Sequence, residues 1–319
     1  MSHDGNIVIG VDIGGTKVAA GLVDSCGEIL KQNRTHMIAS GEPASGLAAV
    51  SEAIRGLLSG EPPQTQRARI GVCAPGPLNP LTGVIINPPN LPIWRNYPLA
   101  EEMQRLFHVE IKVDNDANAA ALAEAKWGAG RGYQNVFYTC IGTGIGTGIV
   151  FDGKIYHGRT GAAGEGGHLG IDMHGPKCNC GKRGCIETLA AGPAIARRAR
   201  QKLAANKEFL MLKIAGGNAH AVNGEIVGKA LDAGDPLAKE VMDETLDLLA
   251  YWLGNIIDVL DPDVIIVGGG VSTLLAPYLS EIRRRFHCAH PSPQDTPLVL
   301  ARYGEDAGIA GAAALFETQ

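Results

Sequence analysis

The stretch IVIGVDIGGTKVAAGLV at residues 7–23 indicates how the chain begins to fold. An apolar run at residues 7–12 and another at residues 18–23 lie on either side of a Gly-Gly-Thr turn. Glycine and threonine between two apolar runs are typical of a tight turn, so the pattern predicts a β-hairpin that enters a sheet. The predicted strands of this hairpin are Ile7 to Asp12 and Val18 to Val23.

A similar arrangement occurs later, where the Gly/Thr-rich segment GTGIGTG at residues 142–148 separates two further apolar runs. This internal likeness predicts two related halves in an α/β protein. Apolar patterning and turn residues predict further strands and helices between and after the two hairpins. The strands are predicted at residues 28–35, 70–74, 109–113, 136–141, 149–151 and 264–267, and the helices at residues 43–58, 99–107, 117–127, 236–260 and 307–316.

Composition limits the classes of function. The chain has 319 residues, 45% of them hydrophobic, 43 glycines and a formal net charge of −5. This net charge argues against nucleic acid as a partner, and the clusters Arg197, Arg198, Arg200 and Arg283–Arg285 are expected to be solvated helix faces. The first residues lack a signal sequence and no run of about 20 apolar residues occurs, which predicts a cytoplasmic protein with no membrane partner.

A segment rich in cysteine and glycine, EGGHLGIDMHGPKCNCGKRGCIE, occupies residues 165–187. Cys178, Cys180 and Cys185, with His168 as the fourth ligand, form a credible structural zinc site, because thiolate and imidazole suit zinc and four protein ligands leave no open position. His174 is an alternative fourth ligand. The alternative is three free thiols in a glycine-rich loop. A zinc site would hold the flanking carboxylates, Glu165 and Glu187, in fixed positions.

The remaining cysteines occur singly in the sequence. Cys26, Cys73, Cys140 and Cys288 are each surrounded by apolar residues, which is typical of reduced, buried thiols. We therefore expect no disulfide bonds.

Three glycine-rich turns are candidate phosphate cradles: DIGGTK at 12–17, GTGIGTG at 142–148 and GGGVS at 268–272. None has the spacing of a P-loop or of a dinucleotide-binding fingerprint. Glycine lets backbone N–H groups approach phosphate, threonine adds a hydroxyl, and Asp12 could hold a hydrated magnesium ion. Taken alone, each turn is more often an ordinary hairpin, since Gly-Gly and Gly-Thr are common turn residues.

The order of these motifs along the chain resembles that of the ROK family of bacterial sugar kinases, within the sugar kinase and actin superfamily. DIGGTK is similar to the family's first phosphate motif, GTGIGTG to its second, and GGGVS to its adenosine motif. The segment at 165–187 is similar to the zinc signature of the family, and NDANAAALAE at 115–124 to the segment that carries its catalytic aspartate.

The resemblance implies ATP with Mg²⁺, a hexose as the second substrate, and a structural Zn²⁺. It also implies two actin-like, ribonuclease H-like α/β domains with an active-site cleft between them, and a homodimer. The expected domains are residues 1–114 plus 304–319, and residues 115–303 with the zinc-binding loop 165–187. The residues expected at ATP and magnesium are Asp12, Gly14, Gly15, Thr16, Lys17, Gly142, Thr143, Gly144, Gly268, Gly269 and Gly270.

The resemblance also assigns roles at the sugar. Asp116 is expected to be the base that accepts the proton of the hexose 6-hydroxyl; the alternative is that Asp114, Asn115 or Asp116 only caps the following helix. The sugar is expected to contact Gly76, Asn90, Asn115, Glu165, His168 and Glu187. His168 would use one ring nitrogen for zinc and the other for a sugar hydroxyl.

Glucose is the expected substrate, because PGPLNP at 75–80 and NPPNLPIW at 87–94 resemble the glucokinase-like branch. N-acetylmannosamine and N-acetylglucosamine are the alternatives. Some ROK relatives are sugar-binding transcriptional regulators, but their amino-terminal helix-turn-helix domain has no counterpart before Ile7. A kinase-like protein without activity is a further alternative, against which Asp12, Thr16, Thr143 and Asp116 are all present.

Overall fold

A computed structural model describes residues 7–205 and 209–316. These residues form α-helices and β-strands, with short 3-10 helices in several connections. The strands are Val8–Ile13 (β1), Lys17–Val23 (β2), Ile29–His36 (β3), Ile70–Ala74 (β4), Leu78–Asn79 (β5), Val84–Ile85 (β6), Ile111–Asn115 (β7), Asn135–Ile141 (β8), Ile145–Phe151 (β9), Lys154–Ile155 (β10), Val264–Gly268 (β11) and Leu298–Leu300 (β12).

The helices are Pro43–Leu58 (α1), Leu99–Phe107 (α2), Asp116–Trp127 (α3), Ile186–Ala190 (α4), Gly192–Ala205 (α5), Leu210–Ile214 (α6), Gly224–Asp232 (α7), Pro236–Leu260 (α8), Ser272–Leu275 (α9), Leu279–Arg284 (α10) and Ala307–Ala314 (α11). The bounds predicted for α1, α2 and α8 are confirmed. None of the helices in the described part of the chain is long and apolar enough to cross a membrane.

Two five-stranded sheets follow the same plan. The first has the strand order β3-β2-β1-β4-β7 and the second the order β10-β9-β8-β11-β12. In each, three strands that are consecutive in the chain are followed by two strands from later in the sequence. The related halves predicted from the two glycine-rich hairpins are therefore confirmed at the level of strand order.

The predicted Gly/Thr turn at 142–148 is wrong in its second half, because β9 already begins at Ile145. Glycine weakens a strand unless another backbone must come close. At Gly148 a Cβ would lie 2.6 Å from the Ala117 carbonyl oxygen. The strand therefore continues through glycine because α3 packs directly against its backbone.

The chain divides into two compact units. The first comprises residues 1–138, 148–164 and 301–319, and the second residues 139–147 and 165–300. The compact units divide after residues 138, 147, 164 and 300. The domain boundary expected after residue 114 stays a prediction.

A row of three glycines crosses the first sheet. Gly10 of β1 pairs in register with Gly21 of β2 and with Gly71 of β4. A Cβ would lie 2.0 Å from the Ile309 carbonyl oxygen at Gly10, and 1.8 Å from the Ala312 carbonyl oxygen at Gly71. Helix α11 therefore lies with its backbone against the backbone of the sheet.

The opposite face of the first sheet carries the larger apolar core. Helix α1 buries Val50, Ile54 and Leu57, which are spaced so that they share one helix face. These side chains pack in one cluster with Val11 and Val72 of the sheet. The first sheet is thus covered by a helix of ordinary side chains on one face and by a helix of small residues on the other.

In the second unit the long helix α8 is the central element. Asp235 caps its amino end by accepting hydrogen bonds from the Leu237 and Ala238 N–H groups, and Pro236 occupies the first turn. The Trp252 indole, fully buried, donates to the Gly166 carbonyl oxygen at 3.2 Å. This bond connects the helix to the segment that begins the cysteine-rich loop.

Two expectations about surface residues are wrong in part. Of the four single cysteines, Cys73 is buried, Cys26 is exposed, and Cys140 and Cys288 are half-buried. Arg283 and Arg284 are exposed, as expected of a solvated face, but Arg198 donates to the Leu189 carbonyl and the Thr245 hydroxyl. Arg285 likewise forms ion pairs with three carboxylates, those of Asp243, Asp247 and Glu281.

The glycine row generates a prediction for stability. In Gly71→Ala the new methyl group would meet backbone, which cannot rotate away, so we expect a loss of about 3 kcal/mol in the free energy of unfolding. Urea denaturation followed by intrinsic fluorescence measures it. Gly224→Ala is the matched control, because no atom lies within 4 Å of its Cβ position. Equal denaturation midpoints for the two variants would contradict the backbone contact.

Candidate active site

The parallel strands of the first sheet bring three predicted site segments to one edge. β1 pairs with β4 and β4 with β7, both in parallel, and the register aligns Asp12 with Cys73 and Cys73 with Asp114. Because the carboxyl ends of parallel strands meet at the same edge, the residues that follow these strands lie close together.

The first glycine-rich turn follows β1 at this edge. The Gly14 N–H donates to the Lys17 carbonyl oxygen at 2.9 Å, which closes the hairpin. At Gly15 a Cβ would lie 3.0 Å from the Asn90 carbonyl oxygen. The loop that carries Asn90 therefore packs against the turn, and the exposed Thr16 and Lys17 remain available to a ligand.

Asp12 lies beneath the turn in a confined position. Its carboxylate is 3.5 Å from the Cys73 sulfur, and a Cβ at Gly308 would lie 2.5 Å from its Cγ. Burial raises the pKa of Asp12, against the opposing effects of the Cys73 hydrogen bond and of the Lys17 and Arg34 charges. A cation beside the carboxylate would favour its charged form, as expected of a magnesium-binding group.

Asn115 and Asp116 begin α3 at the end of β7. The Asn115 side chain caps the helix, accepting from the Ala117 and Asn118 N–H groups, while Asp116 Oδ1 accepts from the Ala117 N–H at 2.8 Å. A Cβ at Gly76 would lie 3.3 Å from the side-chain nitrogen Nδ2 of Asn115. Capping is therefore carried mainly by Asn115, and Asp116 lies one residue further along at the helix terminus.

The residue before them, Asp114, has a partner that the sequence did not reveal. Its buried carboxylate lies 2.6 Å from the His157 ring nitrogen Nε2, and His157 is 43 positions away in the chain. Periodicity and motif spacing carry no signal for such a distant pair. The hydrogen bond and charge of Asp114 raise the pKa of His157, against the opposing effect of burial.

In the second unit the other two glycine-rich turns lie side by side. The Val271 N–H donates to the Ile141 carbonyl oxygen at 2.9 Å. Gly269 has a φ of 82°, and a Cβ there would lie 2.5 Å from the same oxygen. The Gly192 N–H, at the start of α5, donates to the Gly142 carbonyl. The amino end of α5 thus borders both turns, a feature that the sequence analysis missed.

Glu187 is held against the second glycine-rich turn. It lies in the first turn of α4, and its Oε2 accepts from the Ile145 N–H at 3.0 Å. A Cβ at Gly144 would lie 2.5 Å from the same oxygen, so a larger residue there would displace the carboxylate from this position. This carboxylate is therefore fixed rather than a free loop residue.

His168 presents its two ring nitrogens to different neighbours. Nδ1 lies 3.5 Å from the Cys178 sulfur, whereas Nε2 lies 4.0 Å from a carboxylate oxygen of Glu165. The Glu165 side chain is 65% exposed. The Nδ1 edge of the imidazole is thus turned towards the cysteines, and the Nε2 edge towards an accessible carboxylate.

The donor atoms of His168, Cys178, Cys180 and Cys185 all lie within 4.8 Å of one another. Tetrahedral zinc with ordinary bond lengths places two sulfurs roughly 3.8 Å apart and a sulfur and a nitrogen roughly 3.6 Å apart. The Cys180–Cys185 sulfur distance is 3.6 Å and the Cys178–His168 distance is 3.5 Å. The four residues therefore fit a zinc ion, and His174 is not among them.

The thiols of this cluster differ in their environments. A backbone hydrogen bond from Lys182 lowers the pKa of the exposed Cys180, whereas burial raises the pKa of Cys185 to about 12. Of these two thiols, Cys180 more readily becomes a thiolate, the form in which cysteine binds metals.

Each compact unit holds part of the predicted site. The first unit contains Asp12, Gly14, Gly15, Thr16, Lys17, Gly76, Asn90, Asn115 and Asp116, and the second contains Gly142, Thr143, Gly144, Glu165, His168, Glu187, Gly268, Gly269, Gly270 and the three cysteines of the cluster.

Comparison with known proteins extends over nearly the whole chain. A glucokinase of Thermotoga maritima is 34% identical over 312 residues, which are 97% of this chain and 97% of that protein. An N-acetylmannosamine kinase of Salmonella typhi is 31% identical over 96% of this chain and 97% of that protein.

Among solved structures, a ROK family glucokinase from Streptomyces griseus in complex with glucose and AMPPNP is 32% identical, with a TM-score of 0.80. The match covers 97% of this chain and 98% of that one. The model of the ROK family itself matches residues 8–319. The chain therefore belongs to the ROK family and has the actin-like two-domain α/β fold.

Proposed function

We propose that this ATP-dependent sugar kinase phosphorylates glucose at the 6-hydroxyl, with Asp116 as the base. The observation that carries this proposal is the position of Asp116 at the amino end of α3, beside the Asn115 cap and at the sheet edge where β1 and β4 also end. The relatives named glucokinase support the choice of hexose.

In the proposed reaction the glucose O6 forms a bond to the γ-phosphorus while the bond to the β,γ-bridging oxygen breaks and ADP leaves. The O6 proton passes to the Asp116 carboxylate. Because the transition state of phosphoryl transfer is loose, alignment of the hydroxyl matters more than the basicity of the carboxylate. A rigid helix terminus is suited to that task, since the Asn115 cap fixes the backbone from which Asp116 projects.

Six residues are proposed to contact the sugar, on the likeness to the family. In the first unit these are Gly76, Asn90 and Asn115; the approach of Gly76 to the Asn115 side chain, and of Gly15 to Asn90, supports their assignment to the sheet edge that carries Asp116. In the second they are Glu165, His168 and Glu187. Amide and carboxylate groups accept and donate to the several hydroxyls of a hexose, and Gly76 lets the ring approach the backbone.

ATP binding is assigned to the glycine-rich turns. In the first turn, Gly15 and Thr16 would offer backbone N–H groups, and Thr16 and Lys17 their exposed side chains. Gly142 to Gly144 and Gly268 to Gly270 are adjacent in the second unit and would hold the rest of the nucleotide. Mg²⁺ accompanies ATP in such kinases, and Asp12 is the carboxylate that would hold it through water.

The role of Asp116 is tested by Asp116→Asn. The amide keeps the shape and the hydrogen bond from the Ala117 N–H but cannot accept the hydroxyl proton. We expect kcat to fall by about 10²- to 10⁴-fold, with the KM for glucose changed little. Asp232→Asn at the exposed end of α7 is the control. A kcat above a tenth of the wild-type value would remove Asp116 from this role.

The choice of sugar has a competing candidate, because a relative at 31% identity is named an N-acetylmannosamine kinase. A coupled assay of ADP release with glucose, mannose, fructose, N-acetylglucosamine and N-acetylmannosamine separates the two. We expect the highest kcat/KM with glucose. A higher value with either N-acetylhexosamine would show that the pocket accommodates a large C2 substituent and would replace glucose as the substrate.

We also propose a structural zinc ion held by His168, Cys178, Cys180 and Cys185. The match between the donor distances and tetrahedral zinc supports it. The metal would supply rigidity and no chemistry, since four protein ligands complete its coordination. A homodimer, and domains at 1–114 plus 304–319 and at 115–303, are proposed from the likeness to the family.

Removal of one zinc ligand gives a directional prediction. We expect about one zinc per chain by elemental analysis, as a single four-ligand set requires, and its loss in Cys180→Ser. The KM for sugar should rise by a much larger factor than the KM for ATP, because the cluster adjoins Glu165 and Glu187 in sequence. Cys26→Ser, an exposed thiol outside the cluster, is the control. A metal-free variant with unchanged sugar KM would contradict the assignment of Glu165, His168 and Glu187.

A further inference from the structure

The carboxylate of Asp114 is bound on both of its oxygens. Oδ1 accepts from the Asn115 N–H at 2.7 Å and from the Asn118 side-chain amide at 3.1 Å. Oδ2 lies 2.6 Å from His157 Nε2. The side chain of Asp114 is only 4% exposed, so these protein groups replace the water that a carboxylate would otherwise bind.

Two of these bonds lead to the residues that begin the candidate catalytic helix. The Asn115 N–H belongs to the peptide between Asp114 and the helix cap, and Asn118 lies in the first turn of α3. A rotation of the Asp114 carboxylate would therefore act on the backbone at Asn115 and Asp116. The third bond, to His157, is the only one of the three that comes from a different part of the chain.

We propose that His157 is a positioning residue for phosphoryl transfer: by holding the second oxygen of Asp114, it fixes the orientation of the carboxylate that orders Asn115 and Asp116. This inference rests on the proposed roles of those two residues. His157 itself would touch neither the sugar nor ATP, and its effect would pass through Asp114.

The physical reason is the cost of an unpaired charge in a confined place. A buried carboxylate that loses one partner must take up a proton, admit water or turn towards another donor. Each of these changes alters the bond to the Asn115 N–H. Since a displacement of about 1 Å at the reacting groups can reduce turnover by about 100-fold, a small change there is sufficient to slow the reaction.

His157 is also placed to exchange its proton. Its side chain is 29% exposed and lines a cavity of about 770 Å³ within the first unit, bordered by β7, α2, α3 and β10. The charged side chains that line the same cavity are Lys112 on β7, Glu101 on α2, Lys126 on α3, and Asp152 and Lys154 at β10. Asp114 also lines this cavity, and its carboxylate is the group that is hydrogen-bonded to the His157 ring.

The direction of the pH dependence follows from this pairing. Asp114 raises the pKa of His157, so the charged pair is complete below the ordinary histidine value near 6.5 and is lost as the pH rises through the raised value. Neutral His157 can still donate one hydrogen bond, although a neutral donor binds a carboxylate more weakly. We therefore expect a gradual decline in the contribution of His157 on the alkaline side.

Two substitutions test the positioning role in the full chain. His157→Leu removes the donor, and we expect kcat to fall by about 100-fold with the KM for ATP unchanged. His157→Gln keeps a neutral donor near the position of Nε2, and we expect kcat within about fivefold of wild type. The ratio of kcat in His157→Gln to kcat in wild type should rise as the pH increases from 6 to 9.

The matched control is His290→Gln. His290 also pairs with an aspartate, since its Nε2 lies 3.4 Å from a carboxylate oxygen of Asp261. Unlike Asp114, Asp261 is largely exposed. We expect no change in kcat or in its pH profile. The double variant Asp114→Asn/His157→Leu removes both charges and should recover part of the activity lost in His157→Leu, because the buried carboxylate is no longer unpaired.

A purely structural role would lower the thermal midpoint and leave kcat unchanged at temperatures where the variant is folded. That result, or a His157→Leu variant with wild-type kcat, would overturn the inference. Asp116→Asn assayed in parallel separates the two proposals. Full activity in Asp116→Asn together with low activity in His157→Leu would reject Asp116 as the base and leave His157 as the positioning residue for Asn115.

Discussion

The contact between the backbone of α11 and the glycine row of the first sheet is the constraint on which the first unit depends. At Gly10 and Gly71 no side chain separates the two backbones, since a Cβ would coincide with a carbonyl oxygen of the helix. Interiors are packed densely, so a methyl group at such a point cannot be absorbed by rearranging neighbouring side chains. The position of α11 is therefore set by backbone geometry rather than by the fit of large side chains.

The same helix fixes two parts of the candidate active site. Gly308 leaves room for the Asp12 carboxylate, and Gly311 lets the backbone of α3 approach, since a Cβ there would lie 2.4 Å from the Ala119 carbonyl carbon. Helix α3 in turn carries Asn115 and Asp116 at its amino end. The positions of the proposed magnesium-binding carboxylate, Asp12, and of the proposed base, Asp116, thus both depend on the packing of α11. A distortion of that helix would reach both at once.

Much of this arrangement could be predicted from the sequence. Apolar periodicity with a proline start predicted the bounds of α1 and α8, and the spacing of three cysteines and a histidine predicted that these four side chains lie together. The sequence could not show which turns meet in space. The approach of Gly192 to Gly142, and of His157 to Asp114, depends on tertiary packing between distant segments, for which no local pattern exists. The turn prediction is wrong for the glycines inside β9, because glycine signals a turn unless its packing partner is known.

The position of α11 in the chain has a consequence for synthesis at the ribosome. Strands β1 and β2 emerge early, but the apolar cluster that joins Val8 and Val23 to Ile309 and Phe316 cannot form until the second compact unit has been translated. Until then one face of the first sheet is uncovered, and exposed apolar surface on an incomplete domain favours aggregation. The nascent chain therefore has a long interval in which the apolar residues on this face of its amino-terminal hairpin lack their partners in α11.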